Sequence, residues 1–181
     1  MKVTSVLSAA IVALSLGVQN AVTQNVLPNG TYQFISRITD PFGNPLALTS
    51  GTSRSNVTLT PLVFGQSNQL AYTLPYDNIW AVKTSGSGNE ITVAGTSGNL
   101  EAGTQGTLPQ PLLTLPSANF VWITKSVGGG TTVTISDPSN SFNWAAPTST
   151  SGASVAVQSA SPTPSAAPLQ LWVPIIASTS N

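Results

Sequence analysis

The chain has 181 residues, of which 40% are hydrophobic and only 6% are charged, and five basic residues balance five acidic ones. This length is enough for one domain with a real hydrophobic core. The few lysines and arginines cannot form the basic patch that a nucleic-acid binder needs to neutralise phosphates. The same shortage argues against binding to an anionic membrane surface.

Neither cysteine nor histidine occurs in the chain. A small domain without disulfides must be held together by its core. The missing residue types exclude zinc sites of the His/Cys kind and catalysis by Ser-His-Asp or Cys-His groups. No acidic calcium loop is present, and no carboxylates recur at the close spacing that a glycosidase pair suggests. We therefore predict no catalytic residue, no metal and no cofactor.

Residues 1–21 have the pattern of a secretory signal peptide. Lys2 supplies the positive charge, an apolar run follows at 6–18, and the small residue Ala21 ends the segment. The run is too short for a membrane-spanning helix. We predict cleavage near Ala21, a secreted extracellular protein and no membrane insertion; the alternative is a buried N-terminal helix.

Two N-glycosylation sequons fit a secreted surface, "NGT" at Asn29 and "NVT" at Asn56. Because the amide of such an asparagine is the acceptor of the glycan, both residues are candidate glycosylation sites.

Beyond residue 25 the hydrophobic pattern alternates with a period of two, as in strands, and no helical period appears. Turn signals rich in Gly, Pro, Asp and Asn separate the segments. The alternating segments in chain order are TYQFIS (31–36), NVTLT (56–60), EITVAG (90–95), TTVTISD (131–137) and ASVAVQ (153–158). We predict an all-β domain of about twelve short strands over residues 26–177.

Aromatic residues recur at a regular interval. Tyr72, Trp122 and Trp172 follow one another every 50 residues, and Tyr32 and Trp80 stand in similar strand openings. Three units of about 50 residues with four strands each predict a β-trefoil. Whether Trp122 closes one unit or opens the next is left open by the spacing.

Residues 145–168 are rich in Ser, Thr, Ala and Pro, which is typical of a linker or an O-glycosylated stalk. The strand-like run LQLWVPII follows at 169–176. We therefore predict that 145–168 is a surface loop inserted in the domain, and not a tail.

Several runs occur in an order and spacing that resemble a known family. They are YQFISRITDPFGNPLALTS (32–50), VTLTPL (57–62), PYD (75–77), LPSANFVW (115–122) and LWVPI (171–175). Together they resemble the fungal (mushroom) ricin-B-type β-trefoil lectins that bind fucosylated chitobiose, over most of residues 28–176. The resemblance implies a carbohydrate-binding protein with a shallow site beside its second unit.

The resemblance also implies which residues bind the sugar. Asn119 would hydrogen-bond sugar hydroxyls, and backbone groups of Phe120 and Val121 would do likewise. Trp122 would offer its flat face to the C–H side of a sugar ring; a plain core role for Trp122 is the alternative. The full implied site is Tyr76, Leu115, Asn119, Phe120, Val121 and Trp122.

The sequence departs from the family at two places in the implied site. The family carries a further tryptophan in the segment that here reads VAGTSGNLEAGTQGTLP (93–109), where small residues such as Ala102 and Gly103 stand instead. Phe120 also replaces a tyrosine. A different ligand, weaker binding and no binding at this position all remain open.

Two functions of different classes follow. The first is a lectin for glycans that contain N-acetylglucosamine, with or without fucose, of undetermined oligomeric state. The second is a β-trefoil protease inhibitor of mycocypin type, acting through exposed loops such as 100–112 or 145–168. A wall or matrix protein without a discrete ligand is a third. We further expect Trp80 and Trp172 in the core, and Arg37 paired with Asp40 across a turn.

Overall fold

The computed structural model describes residues 27–62, 78–96, 99–116, 119–127, 131–161 and 168–177. The predicted signal peptide, Tyr72 and Tyr76 lie outside these ranges. Within the described ranges, no helical segment has the length and hydropathy needed to span a membrane. The regular elements of the described part are all strands, apart from one 3₁₀ turn at Pro168–Gln170. The all-β prediction is therefore confirmed.

The strands are short, as the alternating segments predict. They are β1 (Gly30–Thr39), β2 (Pro45–Thr49), β3 (Ser55–Asn56), β4 (Thr58–Pro61), β5 (Trp80–Ser85), β6 (Gly88–Val93), β7 (Leu100–Gly103), β8 (Gln110–Pro111), β9 (Leu113–Pro116), β10 (Ile123–Val127), β11 (Thr132–Ser136), β12 (Phe142–Ala145), β13 (Ala156–Ser159) and β14 (Trp172–Ile176). All pairings are antiparallel, and β1 lies centrally, bonded to β14, β2 and β5.

Three buried tryptophans make the same kind of hydrogen bond. Each lies at or just before the start of a strand, and its indole Nε1 donates to a backbone carbonyl of an earlier strand of the sheet. The pairs are Trp80 to Leu48 at 3.1 Å, Trp122 to Ala102 at 2.9 Å, and Trp172 to Trp144 at 3.2 Å. Because a buried indole N–H needs an acceptor, these bonds fix where each ring lies in the core.

A ring of backbone hydrogen bonds joins three distant segments. Val57 donates to Leu112 (2.8 Å), Leu112 donates to Val155 (2.9 Å), and Val155 donates back to Val57 (2.8 Å). All three side chains are fully buried. Each segment thus supplies the carbonyl that accepts a hydrogen bond from the backbone N–H of another. The barrel-like sheet is closed at this point without an exposed edge.

The turn between β1 and β2 is organised by the carboxylate of Asp40. Its Oδ1 accepts from the backbone N–H groups of Phe42 (2.9 Å) and Asn44 (2.7 Å), and its Oδ2 accepts from the Asn44 amide (2.9 Å). Gly43 takes the left-handed φ of 83° that the turn requires. The expected pairing of Arg37 with Asp40 is wrong, because the carboxylate is satisfied within its own turn.

We expect the stability of the fold to fall in acid, because of the carboxylates in the two Asp-Pro turns. The Asn44 side-chain hydrogen bond holds the pKa of Asp40 below its ordinary value of 3.8. Burial opposes ionisation of Asp137, but hydrogen bonds from Ser139 and Phe142 still lower its pKa. A lowered folded-state pKa means that the ionised carboxylate stabilises the fold above pH 3.8 and that this contribution is lost as the pH falls through the folded value. Urea unfolding should therefore show falling stability below about pH 4.

The matched variant for this prediction carries both Asp40→Asn and Asp137→Asn. Its stability should change less with pH than that of the parent over the same acidic range. Equal pH slopes for the two proteins would show that these turns do not carry the effect.

The prediction that the whole of 145–168 is a surface loop needs correction. The segment contains strand β13, and Val155 and Val157 are fully buried. The exposed described residues lie at 148–152 and at Gln158 and Ser159, and 162–167 lie outside the described ranges. Alternating valines that fill the core decide the local structure here, and the Ser/Thr-rich composition around them does not. The strand predicted for ASVAVQ is confirmed.

Candidate functional site

A shallow depression of about 300 Å³ lies where the turn before β3, the end of β7 and strand β9 come together. Two of the residues predicted for the site, Leu115 and Phe120, line it. The described lining residues are Arg54, Thr104, Gln105, Leu115, Pro116 and Phe120. The lining is thus mixed: Leu115, Pro116 and Phe120 are apolar, and Arg54, Thr104 and Gln105 are polar or charged.

Strand pairing brings these residues together. In the β7–β9 pair, Gly103 lies opposite Leu113, and Glu101 lies opposite Leu115. On its other edge β9 pairs with β3, and the backbone N–H of Arg54, just before β3, donates to the carbonyl of Thr114 at 2.6 Å. Strand β9 therefore forms the floor between the Arg54 turn and the loop that follows β7.

The ring of Phe120 lies directly on the backbone of Gly103. A Cβ atom placed on Gly103 would come within 2.5 and 2.6 Å of two Phe120 ring carbons and 3.0 Å of Leu115 Cδ1. Any larger residue at 103 would push the ring away. In the sequence, the small residues of this segment look like the loss of a side chain. In the structure they leave the space that the Phe120 ring occupies.

Trp122 lies beneath Phe120 and not at the surface. The two rings stack with centroids 6.3 Å apart and an interplanar angle of 17°, and Trp122 is only 3% exposed. Its ring meets that of Trp144 edge-on at 5.1 Å. Of the two roles left open for Trp122, the structure supports the core role. The half-buried aromatic that borders the depression is Phe120.

The neighbours of Phe120 point in different directions. Asn119 is exposed and has a left-handed φ of 57°, a conformation that asparagine tolerates better than most residues. Val121 is half-buried, and its Cγ1 lies 2.7 Å from where a Cβ on Gly88 would stand, so it packs towards β6. Tyr76 lies outside the described residues. The structure thus groups Leu115 and Phe120, with Asn119 adjacent in the chain.

Buried Glu101 supports Phe120 from below. Its Oε1 accepts from the Phe120 backbone N–H at 3.3 Å, and the side chain is 1% exposed. The carboxylate therefore does not border the depression. No described lining residue is acidic, and the described residues hold no cluster of three or more candidate ligands for a metal. Among the described lining residues there is thus no pair of carboxylates of the kind that a glycosidase uses.

Sequence reasoning missed four of the lining residues. Thr104 and Gln105 lie in the segment 93–109 and Pro116 in the run LPSANFVW, which the resemblance already assigned to one site without naming these residues. Arg54, with its left-handed φ of 64°, belongs to no such run. Only the β3–β9 pairing brings it there, and no signal in the sequence indicates a contact over about 60 residues.

The two sequon asparagines lie at the surface. Asn29 accepts a hydrogen bond from the backbone N–H of Thr84 through its Oδ1 at 2.6 Å. Asn56 donates through its amide to Ser154 Oγ at 2.8 Å.

An open site lined by apolar and polar residues suits a ligand with apolar and polar surfaces. A sugar ring is such a ligand. Comparison with known proteins bears on this. A family model described as CCL2-like, CCL2 lectin-like, matches residues 30–166. No curated protein matches the sequence.

Solved structures of low sequence identity share the fold. A ricin B-like lectin from Macrolepiota procera in complex with lactose is 16% identical over 81% of this chain and 95% of its own, with a TM-score of 0.58. A proteinase inhibitor from Coprinopsis cinerea is 16% identical over 83% and 99%, also with a TM-score of 0.58. A mosquitocidal holotoxin is 14% identical over 84% of this chain, with a TM-score of 0.63, but the chain spans only 18% of that toxin.

Proposed function

Because the chain belongs to the CCL2-like family of lectin-like proteins, we propose that it is a secreted fungal lectin. Its ligand is a glycan that contains N-acetylglucosamine, with or without fucose, and its site is the depression beside Phe120. The carrying observation is that the half-buried ring of Phe120 lines the same depression as the polar residues Thr104 and Gln105. An aromatic platform facing a few polar groups is the arrangement that sugars require.

Both the apolar and the polar lining residues contact the sugar in this proposal. The C–H face of a sugar ring lies on Phe120, and the methyl of an N-acetyl group contacts exposed Pro116, with buried Leu115 beneath. Thr104 and Gln105 hydrogen-bond hydroxyls, and exposed Asn119 extends the polar rim. A depression this open buries little of its ligand, so the affinity of a single site is low.

We propose further that the fold is a β-trefoil of three units. Two observations support this: the three equivalent indole hydrogen bonds and the cyclic bonds among Val57, Leu112 and Val155. In this proposal Trp80, Trp122 and Trp172 occupy equivalent places. The 50-residue interval predicted from the sequence instead gives the first of these places to Tyr72.

The first experiment is a glycan array with the purified mature chain. The account expects binding to glycans that end in or contain N-acetylglucosamine and no binding to glycans without it. A protein that binds no glycan on the array would overturn the lectin proposal.

Gly103→Ala should weaken glycan binding without touching the ligand. The added methyl would stand 2.5 Å from the Phe120 ring and displace it from its place in the depression. We expect a loss of affinity of about tenfold, since a platform shifted by an ångström no longer meets the sugar face. Isothermal titration with a chito-oligosaccharide measures the effect.

The matched control for Gly103→Ala is the same change in a Phe120→Ala background. There the ring is gone, so the methyl has space and should cost no further affinity. If Gly103→Ala costs the same in both backgrounds, the effect does not pass through Phe120.

Protease inhibition is the second candidate function. The Coprinopsis cinerea proteinase inhibitor has a similar fold. Gln105, Gly106 and Thr107 form an exposed stretch between β7 and β8 that a protease could contact. An assay with papain decides: inhibition at a stoichiometric ratio supports this candidate, and full papain activity removes it.

We propose that the chain is cleaved near Ala21 and carries N-glycans at Asn29 and Asn56. The surface position of both asparagines supports this. The mass of the protein secreted by a fungal host, before and after enzymatic deglycosylation, tests both points. An N-terminus at Met1 or an unchanged mass would contradict them.

A further inference from the structure

Arg54 lines the depression, and within the described ranges its guanidinium has no hydrogen-bonding or charged partner. Among the described residues, no carboxylate forms an ion pair with Arg54, and no side chain hydrogen-bonds to its guanidinium. Asp40 and Asp137 are held in their own turns, Glu90 lies opposite Lys83 in the β5–β6 pair, and Glu101 is buried. Arg54 is also the one basic residue among the described lining residues.

The backbone holds Arg54 in a fixed and uncommon conformation. Its φ of 64° is left-handed, which is sterically unfavourable for a long side chain. The turn is tied down on both sides of it: the Arg54 N–H donates to Thr114, and Ser55 Oγ donates to the Thr52 carbonyl at 2.5 Å. The side chain therefore leaves the backbone at a defined place beside β9, and Arg54 is one of the residues that line the depression.

We propose that Arg54 binds the carboxylate of an acidic sugar, so that the preferred ligand carries a uronic or sialic acid next to the ring that lies on Phe120. This rests on the proposed lectin function and deepens it. A planar guanidinium donates two parallel hydrogen bonds to a carboxylate, a geometry that neutral hydroxyls do not match. The depression offers this donor beside an apolar platform, which is the pairing that an acidic saccharide requires.

The number of charges sets the ligand class. A polysulfated chain is held by many cations, and its binding depends steeply on salt. Here the described lining contains a single cation next to Thr104, Gln105 and three apolar residues. That composition fits one carboxylate on an otherwise neutral saccharide. Binding should accordingly weaken only modestly as salt is raised.

The test compares each saccharide with its own neutral form. The probes are an oligosaccharide of alternating glucuronic acid and N-acetylglucosamine, the same oligosaccharide with its carboxyl groups reduced to alcohols, and a sialylated glycan with its desialylated counterpart. Isothermal titration with the mature chain should show that at least one carboxylate form binds about tenfold more tightly than its neutral form.

Arg54→Asn is the informative variant, because asparagine adopts left-handed φ more readily than most residues and the fold should be retained. It should bind acidic and neutral forms with equal affinity and should keep the melting temperature of the parent. Arg54→Lys should keep part of the preference. Arg37→Gln, an exposed change on β1 that does not border the depression, should leave the preference intact.

The possible failures are distinct. If the parent binds neutral glycans but shows no preference for the carboxylate form, or if Arg54→Asn keeps the preference, the inference is overturned and the lectin proposal stands. A stronger preference for sulfate esters than for carboxylates also overturns it. If the parent binds no saccharide at all, the lectin proposal fails and the inference fails with it.

Discussion

Replacing Trp122 by alanine is expected to lower the free energy of unfolding by about 3–5 kcal/mol, the usual effect of removing a large aromatic ring from a packed core. The ring is 3% exposed, stacks under Phe120 and meets Trp144 edge-on. Its loss also leaves the Ala102 carbonyl without the indole donor. Because a domain of this size is stable by only about 5–15 kcal/mol, the variant should melt at a much lower temperature.

Trp122→Phe separates the ring from its hydrogen bond. It keeps most of the packing and loses the donor to Ala102, so it should cost about 1–3 kcal/mol. Chemical denaturation followed by tryptophan fluorescence gives both values. If Trp122→Ala unfolds at the same urea concentration as the parent, the ring does not belong to the core and the described packing is wrong.

Replacing Phe120 by alanine should have the opposite profile, with a large effect on binding and a smaller one on stability. The ring is half-buried and borders the depression, so its removal takes away the platform on which the sugar lies. We expect the affinity for an N-acetylglucosamine oligomer to fall by about 10- to 100-fold, as for truncation of an aromatic anchor. Titration calorimetry on the parent and the variant measures this loss.

The matched control for Phe120→Ala is Phe42→Ala. Phe42 is an equally large aromatic that is 89% exposed, in the turn between β1 and β2 and outside the lining of the depression. Its removal should leave both affinity and stability unchanged. Loss of binding in Phe42→Ala with retention in Phe120→Ala would move the site to the other turn.

Much of the architecture was predictable because it depends on local pattern. Alternation of apolar and polar residues placed strands in each of the five named segments, and the Asp-Pro turn signals at 40–45 and 137–141 fall where β1 and β11 end. The same alternation outweighed composition at Val155 and Val157. The prediction of a surface loop failed there because it gave the Ser/Thr-rich composition more weight than the alternation of the valines.

The repeat was harder to assign from spacing. Equal intervals favoured Tyr72, Trp122 and Trp172, whereas the shared hydrogen bond groups Trp80 with the last two. The acceptor carbonyls lie 20 to 32 residues before their tryptophans. Loops of different length between equivalent strands hide such an equivalence from any fixed period.

Two of the residues that the resemblance implied, Leu115 and Phe120, line the depression, whereas Trp122 lies in the core. Whether Phe120 or Trp122 reaches the surface depends on what lies under and over each ring. That is decided by Gly103, a residue on another strand whose missing side chain admits the Phe120 ring. Arg54 could not be anticipated, because its position depends on a left-handed backbone and on the β3–β9 pairing.

The most direct test of the central claim is a titration of the isotope-labelled mature chain with a chito-oligosaccharide, followed by NMR chemical shifts. The account predicts that the largest changes occur at Thr104, Gln105, Leu115 and Phe120, with little change at the Phe42 turn. Shifts concentrated elsewhere on the barrel, or no shifts at millimolar ligand, would contradict a sugar site at this depression.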